Sequence, residues 1–101
     1  MHLVQLLLPL CDNNGASFSE STMREIRDEL VAQFGGITAF SRSPALGLWS
    51  NAGQKVRDDV ILVEVMVDQL DKDWWRTFRN RLETRLSQQS ILLRSFDVER
   101  L

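Results

Sequence analysis

The strongest hydrophobic pattern in the chain is the stretch Val60–Val67, which is apolar throughout except for Glu64. A short, mostly β-branched apolar run is typical of a central strand that is covered on part of both faces. Successive side chains of a strand point to opposite faces, so the run divides into two sets. The set predicted to face the core is Ile61, Val63, Val65 and Val67. The other set is Val60, Leu62, Glu64 and Met66.

The N-terminal run His2–Leu10 shows the same alternation and predicts a first strand. One face carries Val4, Leu6, Leu8 and Leu10, and the other carries Leu3, Gln5 and Leu7. Pro9 lacks the backbone donor of a ladder, which favours a strand end or an edge position.

Two stretches have helical periodicity. Ser19 is the predicted N-cap of the first helix, which ends at Gly35. Asp71 is the predicted N-cap of the second helix, which closes at Gln88–Ser90. The apolar stripe of the first helix is Met23, Ile26, Leu30, Val31 and Phe34. The stripe of the second is Trp74, Trp75, Phe78, Leu82 and Leu86.

The remaining elements are strands. Ile37–Arg42 predicts a second strand, which Pro44 and Gly47 bend before the extended run resumes at Leu48–Trp49. Residues 50–53 predict a hairpin tip with Gly53 in the left-handed conformation, and Gln54–Asp59 leads back into Val60–Val67. Ile91–Val98 predicts the last strand. The pattern leaves open which of its sets faces the helices, Ile91, Leu93 and Ser95 or Leu92, Arg94 and Phe96.

The predicted element order is β-α-β-β-α-β over one α+β domain, residues 1–101. This order predicts a ferredoxin-like fold, with a four-stranded antiparallel sheet and both helices on one face. The right-handed crossover rule gives the strand order 4-1-3-2, and the second and third strands form an extended hairpin.

Composition and charge exclude several classes of partner. The formal net charge is −2 and 26% of the residues are charged, so we expect neither a nucleic-acid nor a membrane-surface partner. The single cysteine, Cys11, cannot form an internal disulfide, which fits a reducing compartment. The apolar N-terminus has no basic segment before it and is too short to span a bilayer, so we expect a cytoplasmic protein.

The face of the sheet opposite the helices is predicted to be mixed. Gln5 and Glu64 lie among apolar residues of that face, namely Leu3, Leu7, Phe40, Leu62 and Met66. A large apolar patch rarely stays exposed on a monomer. A homodimer, or a pocket that takes a small-molecule ligand, would cover it.

Glu64 is the one candidate catalytic residue. A carboxylate among apolar neighbours could act as a general base or anchor a polar ligand. The structural alternative, which we favour, is that Glu64 pairs with Arg94, with Arg42 or with an arginine of a partner subunit, or meets water. The ligand or interface candidates are Gln5, Phe40, Arg42, Trp49, Leu62, Glu64 and Met66.

Other conspicuous residues favour structural roles. His2 is the only histidine and Cys11 the only cysteine, so we expect no metal site and no cofactor. Trp49 is expected to pack across the hairpin or against a partner rather than stack on a ligand. The arginines of the second helix project at scattered angles and share the helix with acidic residues, so they are predicted to form a solvated face rather than a basic one. They are Arg76, Arg79, Arg81 and Arg85.

Several segments resemble a family of small uncharacterised ferredoxin-like proteins and, more loosely, the dimeric α/β-barrel superfamily. They are Leu3–Leu8, Phe34–Thr38, Gly47–Trp49 before the Asn/Gly hairpin tip, Val60–Val67 and Gln88–Leu92. The resemblance implies a homodimer with a cavity between the helices and the sheet or between sheets. Enzymes of that superfamily include cofactor-independent monooxygenases and small-molecule isomerases or lyases.

The sequence therefore favours a homodimer with a small-ligand-binding or protein-interaction role. The alternative is a cofactor-independent enzyme of monooxygenase or isomerase type with a pocket near Glu64. A third possibility is a domain that only mediates assembly. An enclosed pocket that holds Glu64 would favour the enzyme, and a flat sheet covered by a second subunit would favour assembly.

Overall fold

A computed structural model describes the backbone of residues 1–40, 46–51 and 54–101, and the side chains of residues 1–38 and 60–101. These ranges contain five strands and two helices. The strands are β1 His2–Pro9, β2 Thr38–Phe40, β3 Leu46–Asn51, β4 Gln54–Val67 and β5 Leu92–Asp97. The helices are α1 Glu20–Phe34 and α2 Lys72–Arg85.

The strands form one antiparallel sheet around a central pair, β4 and β1. The path across the sheet is β2-β4-β1-β5, and β3 pairs with β4 outside this path. Gln5 of β1 lies opposite Glu64 on one side and opposite Arg94 on the other. This register determines which side chains share a row across the sheet.

The predicted ferredoxin-like class, with a four-stranded sheet and β-α-β-β-α-β order, is wrong in strand number and element order. The sheet has five strands because the predicted second strand is divided into β2 and β3. Phe40 pairs with Leu62 and Leu46 pairs with Asp59. Between these two pairings the chain advances by six residues on one arm of the hairpin and by three on the other. A ladder cannot continue through such a surplus. The broader assignment to the α+β class is consistent with the two helices and the antiparallel sheet.

The hairpin also differs from the prediction in its long arm. β4 is continuous from Gln54 to Val67, so the predicted return segment and the apolar strand are one element. β3 ends at Asn51, and Gly53, the predicted left-handed residue, lies outside the described residues.

The ends of the helices follow local chemistry. The Ser19 side chain accepts a hydrogen bond from the Thr22 N–H and caps α1, and Asp71 does the same for α2 through the Trp74 N–H. Both predicted N-caps are confirmed. Gly35 has φ 81° and donates its N–H to the Val31 carbonyl, which confirms the predicted end of α1.

The second helix ends earlier than its sequence pattern predicts. Its last helical residue is Arg85, before the predicted close at Gln88–Ser90. Ser87 has φ 52°, a left-handed conformation that stops the helix, while Leu86 stays fully buried. Neither helix of the described part is long and apolar enough to cross a membrane.

The hydrophobic core lies between the helices and one face of the sheet. All four residues predicted to face the core from β4 are buried, and β1 contributes Val4, Leu6 and Leu8. The helices cover them with Met23, Ile26, Leu30, Trp75, Phe78 and Leu82. Leu93 lies opposite Leu6 in the register and packs against this core. The helix-facing set of β5 is therefore the one with Leu93 and Ser95.

Candidate functional site

The sheet face opposite the helices carries alternating residues of the three strands β4, β1 and β5. We call it the open face. Its described side chains form three rows in the register of the sheet: Met66, Leu3 and Phe96; Glu64, Gln5 and Arg94; and Leu62, Leu7 and Leu92. A polar row therefore lies between two apolar rows.

The polar row is joined by hydrogen bonds through the Gln5 amide. Gln5 Nε2 donates to Glu64 Oε2 at 2.8 Å, and Arg94 Nε donates to Gln5 Oε1 at 2.8 Å. Because the amide has a donor end and an acceptor end, its two neighbours determine its orientation. The Arg94 guanidinium also lies over the Phe96 ring, 5.5 Å from its centroid. The result is a dipolar line with its anionic end on β4 and its cationic end on β5.

The two apolar rows are substantially accessible to solvent. Met66 and Leu92 are each 50% exposed and Phe96 is 44% exposed. Leu3, Leu7 and Leu62 are half-buried. Large apolar side chains adjoining one another on a single sheet face mark a surface suited to contact with another protein.

The structure brings together four of the residues singled out from the sequence, Gln5, Leu62, Glu64 and Met66. Phe40 is the backbone partner of Leu62 on β2. The rest of that set is separate. Trp49 pairs with Val56 in the hairpin of β3 and β4, six positions before Leu62 along β4, and Arg42 lies outside the described residues.

Glu64 is half-buried on an open sheet face and accepts a hydrogen bond from Gln5, rather than lying in an enclosed site. Its contact with Arg94 runs through Gln5, so the ion pair considered from the sequence is indirect. Two of the clefts in the described part of the molecule lie on the helix side of the sheet or on α2, and neither is lined by Gln5 or Glu64.

One of these clefts lies on the helix side, between α2 and β5, and has a volume of about 220 Å³. We call it the basic cleft, because Lys72, Arg76 and Arg79 line it from α2. Spacings of four and three residues place these three side chains along one flank of a helix. The apolar lining is Val4, Leu70, Trp75 and Leu93. Ser95 adds a hydroxyl, and Arg94 of β5 also borders the cleft.

The basic cleft is the feature that the sequence prediction missed. The arginines of α2 point to two different flanks of the helix. Arg81 and Arg85 cross to α1, where Arg81 Nη2 lies 2.7 Å from Glu29 Oε1 and Arg85 bonds Glu25. Arg76 and Arg79 point to the other flank with Lys72. The spacing of Lys72, Arg76 and Arg79 indicates a shared flank of α2, but it does not indicate that β5 lies beside that flank.

The other reactive side chains lie apart from both surfaces. His2 Nδ1 is 2.8 Å from Asp97 Oδ1 at the end of the sheet. Cys11 Sγ is 3.9 Å from Ser17 Oγ, in the loop before α1. Among the described residues, no group of three or more His, Cys, Asp or Glu side chains is arranged to hold a metal ion.

No protein-family model matches the chain, and no curated protein sequence matches it significantly. Several solved structures, however, match the chain in fold. A phage SAM lyase in complex with S-methyl-5′-thioadenosine superposes with a TM-score of 0.62 at 11% identity, over 95% of this chain and 80% of that one. The apo state of a phage SAM lyase gives a TM-score of 0.60 at 11% identity, over 94% and 78% of the two chains.

The divalent cation tolerance protein Cut A1 from Thermus thermophilus superposes with a TM-score of 0.62 at 14% identity, over 99% of this chain and 86% of that one. Similarity at such low identity shows a common fold and nothing about chemistry. The chain therefore shares its small α+β fold with proteins of different activities.

Proposed function

We propose that this protein is a homodimeric interaction module whose subunits pack through the open face. The observation that carries the proposal is the pair of exposed apolar rows beside the polar row. Met66, Leu92 and Phe96 would lose solvent contact in such a dimer, and removal of apolar surface from water is the main driving force of association.

The order of charges on the open face makes a second copy of the chain a suitable occupant. Glu64 and Arg94 lie on opposite sides of Gln5 in one row. Consider a two-fold axis that is parallel to β1 and lies midway between the two facing sheets. It reverses the order of the strands in the partner subunit and keeps the three rows aligned. Glu64 then faces Arg94 of the partner subunit, and the same pair forms again by symmetry.

The same axis matches the apolar rows. Met66 faces Phe96 of the partner subunit, a sulfur–aromatic contact that is favourable at a ring edge. Leu62 faces Leu92 of the partner subunit. Two sheets packed face to face lie about 10 Å apart, which suits side chains of this length.

The polar row can enter such an interface because its members already bond to one another. The Gln5 amide uses one donor on Glu64 and its oxygen on Arg94. Burial of an unpaired charge is costly, so the crossed pairs with the partner subunit are needed to satisfy the remaining groups of Glu64 and Arg94. This requirement favours one register of the dimer over others.

The position of Glu64 supports assembly more than catalysis. A general base works in a site that excludes water and positions a substrate. Glu64 lies on an open sheet face, and neither the basic cleft nor the cleft on α2 is lined by it. A cytoplasmic location belongs to the same proposal and is supported by the free, partly exposed thiol of Cys11, which suits a reducing compartment.

Sedimentation equilibrium of Met66→Glu tests the proposal. The added carboxylate would be buried in the dimer interface but reaches water in the monomer, so the variant should be monomeric with an unchanged circular dichroism spectrum. The matched control is Val31→Glu, because Val31 is 42% exposed on α1, away from the open face. A Met66→Glu variant that sediments like the wild-type protein would exclude the open face as the interface.

A further inference from the structure

The basic cleft is a second surface with a chemistry of its own. We infer that it binds a small organic phosphate, with the phosphate group on Lys72, Arg76 and Arg79 and the organic part against the apolar wall. Lys72, Arg76 and Arg79 lie on α2, on the helix side of the sheet, so their part in this inference does not depend on the proposed dimer. Only Arg94 of β5 borders both surfaces.

The cleft concentrates positive charge on a chain that carries a net charge of −2. Arg76 Nη1 is 3.8 Å from Asp73 Oδ1, and both side chains are largely exposed, so water screens that pair strongly. No ion pair among residues 1–38 and 60–101 includes Lys72 or Arg79. The positive charge of the cleft is therefore largely uncompensated by those residues.

Arg79 is the side chain best prepared to hold an anion. Its Nε is shielded from solvent and has no hydrogen-bond partner in the described part of the molecule. Arg79, which lines the cleft, therefore retains an unused N–H donor. A planar guanidinium can donate two parallel hydrogen bonds to an oxyanion, so an anion in the cleft would supply acceptors that Arg79 lacks among the described residues.

The number of cations indicates a phosphate rather than a carboxylate. A phosphomonoester carries between one and two negative charges near neutral pH and offers three acceptor oxygens. Two arginines and one lysine supply donors for all of these oxygens, whereas a single carboxylate would use only part of them. The Ser95 hydroxyl on β5 provides a further donor across the cleft.

The apolar wall of the cleft indicates the chemistry of the organic group that carries the phosphate. Trp75 is 6% exposed and Val4 is 3% exposed, and both border the cleft together with Leu70 and Leu93. An apolar or aromatic body placed there loses contact with water on one side. A volume of about 220 Å³ limits that body to a small group.

Isothermal titration with phenyl phosphate tests the inference, with inorganic phosphate and benzoate as comparison ligands at matched ionic strength. We expect phenyl phosphate to bind about tenfold more tightly than either, because only it combines the phosphate oxyanion with an aromatic body. Equal affinity for inorganic phosphate would overturn the organic part of the inference. Equal affinity for benzoate would overturn the assignment of a phosphate.

Two variants locate the binding. Arg79→Gln and Lys72→Gln should each weaken phenyl phosphate binding about tenfold, the loss expected for one charge-assisted hydrogen bond. Lys72 is exposed, so its substitution keeps the test valid if the Arg79 variant folds poorly. The matched control is Arg24→Gln, which removes the same charge from the exposed surface of α1 and should change the affinity less than about twofold. Equal losses in all three variants would show non-specific attraction and overturn the site.

Discussion

Gln5 lies directly opposite Glu64 across the central strand pair, and its Nε2 donates a hydrogen bond of 2.8 Å to Glu64 Oε2. The other end of the same amide accepts from Arg94. One neutral side chain thereby links an acid and a base that stand two strands apart. The polar row of the open face therefore has a negative end at Glu64 and a positive end at Arg94. The proposed two-fold dimer follows from this order of charges.

Substitution of Gln5 by Met should destabilise the protein by about 1–3 kcal/mol, because Glu64 and Arg94 both lose their shared partner where the dimer buries them. Urea unfolding monitored by circular dichroism measures the change. The control is Gln33→Met, since Gln33 is exposed on α1 and its substitution should cost less than about 0.5 kcal/mol. Equal stability of the two variants would show that the polar row contributes nothing to the fold or the dimer.

Charge reversal tests the direction of the proposed two-fold axis. Glu64→Arg and Arg94→Glu should each weaken dimerisation at least about tenfold, since like charges then meet across the interface. The double variant restores opposite charges in every crossed pair, and the Gln5 amide can turn over to match them. Dissociation constants from sedimentation should therefore show recovery in the double variant. Additive losses in a thermodynamic cycle would rule out this axis.

Leu6 and Leu7 are sequence neighbours on opposite faces of β1 and provide a matched pair. Leu6 is fully buried in the core, so Leu6→Ala should cost about 2–5 kcal/mol of unfolding free energy. Leu7 is half-buried on the open face, so Leu7→Ala should cost less than about 1.5 kcal/mol in the monomer but weaken dimerisation. Unfolding at several protein concentrations separates the two effects. A concentration-independent loss for Leu7→Ala would count against the interface.

Much of the local structure could be predicted because it depends on short-range chemistry. Ser19, Gly35 and Asp71 end or begin helices through contacts within a few residues. The two faces of β4 follow from strict alternation, which any strand imposes on its side chains. These features need no knowledge of the rest of the chain.

The features that escaped prediction depend on residues far apart in sequence. The division between β2 and β3 arises from a surplus of residues relative to β4, which only the register reveals. The contact of Gln5 with both Glu64 and Arg94 also requires the order and register of three strands. The basic cleft needs the position of α2 beside β5, which periodicity within α2 does not supply.

The molar mass of the wild-type protein tests the proposed dimer most directly. Size-exclusion chromatography with light scattering at micromolar concentration should give twice the 11.7 kDa mass of one chain. The mass should fall toward that of one chain on dilution, as expected for a reversible interface. A constant mass of 11.7 kDa at every concentration would contradict the proposal that the open face forms a homodimer.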